Sequence, residues 1–322
     1  MIRSAMPLPR RAIRKPAAVA KPQLQRRRRP VLPLNAEMPC DTAFRVIARD
    51  CLAALTARRQ ATCDGNTAAL HDMRIALTRL RAAIAFFSPM AVDAEWPRWK
   101  RELKWLNARL GAARDVDVAI EQLDECRARQ RDLISAAEYR SWQRKSTDTH
   151  RRLAQALQSD RYRRLINGTS RWIESGNWAT ANDKQAAKRR TCAIAPYCTV
   201  VLTRWRDKLL KKSAKLAEMG TKKRHRLRLA NKRLRYSVEF FTALLANSGP
   251  TVRDTLKQLR KAQAALGELN DGSQGETLAA SLPRHAASPA KARFLDGKRE
   301  KQLVRVAGRA YRKLAELEPL RT

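Results

Sequence analysis

Two stretches of this chain carry the same pattern: HDMRIALTRLRAAIAFF at residues 71–87 and HRLRLANKRLRYSVEFF at residues 225–241. Aligned without a gap, they share 8 of 17 residues, including a leading histidine, three arginines and a closing Phe-Phe pair. Apolar residues recur at spacings of three and four, as in an amphipathic α-helix. The sequence therefore predicts the same helix twice, and we call the two segments the first and second motif helices.

A second short motif follows each motif helix at a similar distance. LGAARD occupies residues 110–115 and LGELND residues 266–271, so the glycines lie 40 and 42 residues after the motif histidines. We expect the glycine to end a helix and Asp115 and Asp271 to cap the next one. The repeated order indicates an internal duplication of helical bundles, with copies at about 41–176 and 195–316.

The rest of the chain from Asp41 onward also has a helical pattern. Ala, Leu, Arg, Lys, Glu and Gln dominate, and no strand-type alternation is sustained. The predicted fold class is all-α, and Ser135 with Glu138 forms a predicted capping box. Helices are expected near 42–60, 68–87, 94–110, 115–131, 136–157, 160–174, 197–218, 221–246, 251–266, 272–282 and 290–315.

The chain is strongly basic, with 68 Lys and Arg against 30 Asp and Glu and a net charge of +38. Such a field indicates a polyanionic partner: nucleic acid, an acidic membrane surface or a phosphate polymer. Residues 1–39 are rich in proline and arginine, so we predict a disordered basic arm there and a folded domain at 40–322. The arm either grips a polyanion or is a solvated tail.

Other functional classes receive little support from the sequence. The six cysteines include no CxxC pair, which favours free thiols in a reducing compartment. No apolar run approaches the roughly 18 residues of a membrane span, and the basic N-terminus lacks the apolar block of a secretion signal. We therefore expect a cytoplasmic protein.

A helical wheel places the histidine and most cations of each motif helix on one edge. In the first helix this edge carries His71, Arg74, Thr78 and Arg81, with Arg79 apart from it. The second helix carries His225, Arg228, Lys232 and Arg235 on this edge, with Arg233 in the place of Arg79. The opposite face is apolar, with Met73, Leu77, Leu80, Ile84 and Phe87 in the first helix and Leu227, Leu234, Val238 and Phe241 in the second.

This chemistry suits phosphate oxygens, because guanidinium forks and imidazole N–H groups donate to them and repel metal cations. Two simpler interpretations remain open. A basic run on one helix is usually a solvated face, and either histidine could be a buried structural residue. The recurrence of His, Arg, Arg and Arg at four matching offsets favours a shared binding role.

Together, the two H-x-x-R-x-x-x-x-R-L-R helices and the two L-G-x-x-x-D motifs resemble the CHAD domain, the conserved histidine α-helical domain, over about residues 41–316. The resemblance implies two pseudo-two-fold-related helical bundles around a basic central cavity or groove. It also implies non-catalytic binding of inorganic polyphosphate, in some members at polyphosphate granules. Some members carry a fused triphosphate tunnel metalloenzyme domain, for which the 39 residues before the first helix are too few.

Carried over residue by residue, the resemblance assigns polyphosphate contacts in both motif helices and implies no cofactor and no metal. Thr78 departs from the family pattern, since many members have a cation there, as Lys232 is here; the first half-site is therefore expected to be weaker. The expected contacts are His71, Arg74, Arg79, Arg81, His225, Arg228, Lys232, Arg233 and Arg235.

Two other functions are compatible with part of the sequence. Nucleic-acid binding would explain the charge and could involve the arm nonspecifically, but no zinc-finger spacing or aromatic RNA-binding motif is present. A metal-dependent phosphohydrolase would use His71-Asp72 as ligands, yet His150 and His285 lie in no matching motif. The acidic pair Asp115 and Asp117 is explained more simply by capping and salt bridging. The sequence favours a binding protein that is not an enzyme.

Overall fold

The structure, a computed structural model, describes residues 32–322 except 92, 130–133, 182, 246–248 and 282–296. All regular structure in that part is helical, which confirms the predicted all-α class. The α-helices are α1 (Cys40–Thr56), α2 (Arg59–Cys63), α3 (Thr67–Ala91), α4 (Trp96–Arg129), α5 (Ala136–Gln158), α6 (Asp160–Ser175), α7 (Lys184–Thr191), α8 (Ile194–Ser213), α9 (Thr221–Phe240), α10 (Gly249–Ala279) and α11 (Gly297–Glu316). Short 3₁₀ turns occupy Asn177–Ala179 and Leu216–Glu218.

The two L-G-x-x-x-D motifs lie inside helices, so the prediction of helix ends there was wrong. Gly111 is inside the 34-residue α4, and Gly267 is inside the 31-residue α10. Neither glycine has a positive φ, which among the described residues occurs only at Gly65. Asp115 and Asp271 are therefore not N-caps, and two predicted pairs of helices are single continuous ones. The cost of an interior glycine, about 1 kcal/mol, is small beside the packing of a long helix.

The continuous α10 makes a simple prediction at Gly267. A methyl group there would meet no heavy atom within 4 Å. Gly267→Ala should therefore raise the free energy of unfolding by about 0.5–1 kcal/mol, because alanine loses less backbone entropy in a helix. Urea denaturation measures the change. In the control Gly168→Ala, the new Cβ would lie 2.0 Å from Cη2 of Trp99, so that variant should be destabilised. A lower free energy of unfolding in Gly267→Ala would contradict the placement of Gly267 inside a continuous helix.

Short polar side chains cap the N-termini of several of the described helices. Ser135 accepts a hydrogen bond from the Glu138 amide, which confirms the predicted N-cap of α5. Ser159 caps α6 and Asp183 caps α7 in the same way. These caps satisfy amide groups that the helices themselves leave unpaired.

The motif helices α3 and α9 pack against each other in the hydrophobic core. Every residue of the two predicted apolar faces is buried, which confirms their assignment. The closing aromatic residues meet across the contact: the ring centroids of Phe86 and Phe241 are 4.8 Å apart, and those of Phe87 and Phe241 are 6.3 Å apart. Helix α3 also packs on α1, and α10 packs on both α9 and α11.

Residues 34–39, which the sequence places in the disordered arm, are bound to the helical body. The Met38 carbonyl accepts from the Ile194 amide at 2.9 Å, and the Ala36 carbonyl accepts from the Ala195 amide at 3.1 Å. Leu34 is buried. The boundary at residue 39 is corrected accordingly, because backbone pairing and burial order these residues. Residues 1–31 of the predicted arm lie outside the described residues.

None of the described helices combines the length and the apolar character needed to cross a membrane.

The pair His150–Asp117 between α5 and α4 predicts a pH dependence of stability. Nε2 of His150 lies 2.8 Å from Oδ1 of Asp117, and Asp117 is buried. The hydrogen bond to Asp117 raises the pKa of His150; burial opposes the shift and the Asp117 charge adds to it. The folded state thus favours the histidinium, whose stabilisation is present below about pH 6.5 and is lost as pH rises through the raised pKa.

His150→Gln should therefore lower the free energy of unfolding more at about pH 5.5 than at about pH 8.5. Urea denaturation of the wild-type protein and the variant at both values measures the difference. Adding Asp117→Asn to the His150→Gln variant should cause little further loss of the pH-dependent stability, because the pair is already broken. An equal loss at both values would mean that His150 contributes only by packing.

Candidate anion-binding site

Glu239 joins the two motif helices through arginine side chains from both. Its carboxylate accepts from Arg79 of the first helix at 2.9 Å and from Arg235 of the second at 2.6 Å. Arg260 of α10 adds a third contact at 3.4 Å. The side chains of Arg79 and Arg235 are only 8% and 10% exposed. The structure therefore gives these two predicted anion contacts a packing role, as the polar part of the α3–α9 interface.

Each L-G-x-x-x-D motif supplies an acidic partner to the first arginine of its own motif helix. Nη1 of Arg74 lies 3.3 Å from Asp115 and donates to the Gly111 carbonyl at 3.0 Å. In the second copy, Nη2 of Arg228 lies 3.9 Å from Asp271. This shared contact accounts for the repeated spacing of the two motifs, because the long helices α4 and α10 carry the acid to the motif helix. The sequence did not predict this pairing.

Three cations from the two motif helices converge beside these acids. Burial, and after it the charges of Arg228 and Arg74, lowers the pKa of Lys232 to about 7. Burial also lowers the pKa of Arg228; the Asp271 charge opposes this shift and the Arg74 charge adds to it. The charge of Arg74 on the first helix thus acts on both Arg228 and Lys232 on the second, and we call these three residues the cation cluster.

A second pair of like charges lies further along the two helices. Surrounding protein atoms and then the charge of Arg233 lower the pKa of Arg81. Both residues are nevertheless exposed, so their guanidinium groups can reach solvent. Arg81 follows Arg74 by seven residues, or about 10 Å along an α-helix. The cation cluster and the pair Arg81–Arg233 thus form a basic strip of about that length.

The two motif histidines are both exposed and stand at the N-terminal ends of the motif segments. Nδ1 of His225 lies 2.8 Å from Oδ1 of Asn270, the residue before Asp271. The first copy has Arg114 at the position of Asn270, and Arg114 pairs with Glu121 at 2.8 Å. The two copies therefore hold their arginines similarly but do not share the His–Asn contact.

The other departures between the copies concern charge. Thr78, which stands where the second copy has Lys232, donates its hydroxyl to the Arg74 carbonyl at 2.8 Å and adds no charge. Arg79 is buried whereas its counterpart Arg233 is exposed, and Arg235 is buried whereas its counterpart Arg81 is exposed. Glu239 explains the difference, because it contacts Arg79 and Arg235 and its counterpart in the first copy is the uncharged Ala85.

The acidic residues considered as metal ligands have separate partners. Asp115 pairs with Arg74 and Asp117 with His150. Within the described ranges, no three His, Cys, Asp or Glu side chains group in a way that could hold a metal ion. The cation cluster, by contrast, presents N–H donors, which suit anionic oxygen atoms.

Comparisons with known proteins agree on a family and a fold. A family model described as the CHAD domain matches residues 46–280. The solved structure of the CHAD domain from the plant Ricinus communis aligns with a TM-score of 0.69 and 26% identity, over 91% of this chain and 97% of that one. PptA from Streptomyces chartreusis aligns with a TM-score of 0.56 and 19% identity, over 87% and 99%, which is a likeness of fold alone. No curated protein sequence matches the chain.

Proposed function

Because the chain belongs to the CHAD domain family, we propose that it binds inorganic polyphosphate, without catalysing a reaction, along the basic strip between its two motif helices. The convergence of Arg74 with Arg228 and Lys232 carries the proposal. These cations come from both copies of the duplicated motif. Asp115 and Asp271 are the acidic partners beside them.

Mutual repulsion in the cation cluster favours an anion as its ligand. Burial and the neighbouring cations lower the pKa of Lys232 to about 7, so its ammonium form is disfavoured. A phosphate group placed beside it would stabilise the ammonium form, since an opposite charge raises the pKa of a lysine. Arg74 and Arg228 can each donate two parallel N–H groups to phosphate oxygens. A phosphate chain therefore relieves a repulsion that the folded protein already contains.

The basic strip also matches the form of the polymer. Polyphosphate carries about one negative charge per phosphate and offers no base edges, so recognition rests on charge and on counterion release. Cations placed along about 10 Å of helix can contact several successive phosphates. Longer chains should then bind more tightly, because neighbouring phosphates rebind at high effective concentration.

The arrangement of the halves belongs to the same proposal. Arg74 and Arg228 are counterparts in the duplication and the charge of Arg74 acts on Arg228, and the Phe-Phe pairs of the two motif helices meet. These contacts support two bundles related by a pseudo-two-fold axis, with a basic groove between them. In this arrangement Arg79 and Arg235 hold the motif helices together, while His71, His225, Arg81 and Arg233 extend the contact surface. The proposed location is the cytoplasm, at the surface of polyphosphate granules.

A titration of the full chain with long-chain polyphosphate at physiological salt tests the proposal. We expect tight binding that DNA of equal charge does not displace. Binding should weaken with salt with a log–log slope of about −3 to −4, for about five phosphate contacts on a single-stranded polymer. Equal or better binding of DNA would contradict the proposal and make nucleic acid the leading ligand, as the net charge of +38 allows.

A further inference from the structure

Cys40 and Cys192 are 152 residues apart in sequence, yet their Sγ atoms are 3.5 Å apart. The Cys40 amide donates to the Cys192 carbonyl at 3.0 Å. Pro39 and Ala193 form an antiparallel bridge next to them. The two cysteines therefore stand opposite each other in a short antiparallel pairing, where Cβ atoms are about 4.5–5.5 Å apart. A disulfide needs about 3.5–4.5 Å, which a small adjustment reaches.

The two thiols differ in their access to solvent. Cys40 is fully buried, and burial followed by its hydrogen bond with Cys192 raises its pKa. Cys192 is partly exposed at the end of α7. Cys198 also lies close enough to influence Cys40, but it is fully buried and burial raises its pKa too. Of these three thiols, Cys192 is the one that a dissolved oxidant can reach.

From this geometry we propose that Cys40 and Cys192 are a redox-active pair that closes into a reversible disulfide when the protein meets a peroxide. The Cys192 thiol gives up its proton, its thiolate attacks one peroxide oxygen and the O–O bond breaks; a sulfenic acid forms, and the released hydroxide takes up the thiol proton as water. The Cys40 sulfur then attacks the Cys192 sulfur and the S–O bond breaks. The thiol proton leaves with the hydroxide as a second water. Together the two thiols lose two electrons, which reduce one molecule of hydrogen peroxide to two molecules of water.

The position of the pair gives the disulfide a structural consequence. Cys40 is the first residue of α1, and Cys192 lies between α7 and α8. The bond would close a loop that contains the whole first motif helix and leaves the second outside. It would also fasten residues 34–39 to the helical body. A loop of this length strongly restricts the unfolded chain, so the oxidised protein should unfold at a higher temperature than the reduced protein. A thiol reductant would reopen the bond by exchange.

The test treats the reduced full chain with a small excess of hydrogen peroxide. We expect an intact-mass loss of about 2 Da, a Cys40–Cys192 cross-linked peptide in a non-reducing digest, and a melting temperature raised by several degrees. Dithiothreitol should reverse all three. Cys192→Ser, at a partly exposed position, should abolish them. The matched control Cys126→Ser, at another partly exposed cysteine in α4, should retain them.

Several results would overturn the proposal. These are retention of all thiols by the wild-type protein, oxygen addition without a cross-link, a cross-link between two molecules, and a cross-link of Cys40 to Cys198. Cross-linking that persists in Cys192→Ser would also overturn it. The peptide identification does not depend on the stability of any variant, because it uses the wild-type protein. It is also independent of polyphosphate binding.

Discussion

Replacing Arg228 and Lys232 together by glutamine is expected to lower the affinity for long-chain polyphosphate at least about a hundredfold. Each residue would lose a charge-assisted contact with phosphate, which contributes about 1.5–3 kcal/mol, and about 1.4 kcal/mol corresponds to a tenfold change in affinity. Both side chains are half-buried beside Arg74, so the phosphate they contact is partly shielded from solvent. Titration at physiological salt measures the loss. The salt dependence of binding should become shallower at the same time.

The matched control is Arg204→Gln with Lys208→Gln on α8. This pair has the same residue types and the same spacing of four on a helix, but its side chains are exposed and belong to neither motif helix. It removes the same charge, so bulk electrostatics predicts the same loss. We expect less than about a threefold change, because exposed charges are screened at physiological salt. Equal losses from both double variants would contradict the site and leave only the net charge as the cause of binding.

Glu239→Gln is expected to lower the free energy of unfolding by about 3–5 kcal/mol. The substitution keeps the size of the side chain but removes the anion that Arg79 and Arg235 share, and both guanidinium groups are buried. A buried charge that loses its partner has an unfavourable energy that exceeds the value of the pair itself. Urea denaturation followed by circular dichroism measures the change.

The control for Glu239 is Glu268→Gln, which breaks the ion pair of Glu268 with Arg299. Nε of Arg299 lies 2.6 Å from Glu268, but both side chains are at least 40% exposed. Such a surface pair contributes about 0–1 kcal/mol, so the expected loss is small. If both variants lowered the free energy of unfolding by the same amount, the contacts of Glu239 with Arg79 and Arg235 would not be what holds the motif helices together.

The comparison of prediction and structure separates local features from distant ones. The apolar faces of the motif helices were predicted residue by residue, since helical periodicity is visible within one segment. The N-cap at Ser135 was also predicted, because a cap and its helix are adjacent in sequence. Gly111 and Gly267 were assigned to helix ends from the usual preference of glycine. That assignment failed because packing along α4 and α10 outweighs a weak local preference.

For the candidate site, helical spacing predicted which residues share an edge, but not which of them pair with acids. The edge that carries Arg74, Arg228 and Lys232 became the cation cluster. Arg79, which the helical wheel placed off this edge, is buried against Glu239. Its Cζ atom lies 4.6 Å from the centroid of the Phe240 ring. Glu239 itself carried no sequence signal, since it has no counterpart in the first copy. Asn270 and the two motif aspartates could have been found only by asking what the repeated L-G-x-x-x-D motif contacts.

The sequence alone determined the all-α class, the two copies of one helix that bears His and Arg, and the apolar face of each copy. These properties depend on residues within a few turns of one another, so composition and spacing encode them directly. The tertiary structure alone decided which cations pair with acids inside the protein and which converge as a cluster. Arg79 and Glu239 are 160 residues apart in sequence, and Arg74 and Asp115 are 41 residues apart. Only the packing of α3 against α9 and α4, and of α9 against α10, brings such charges to distances at which they compete for one partner.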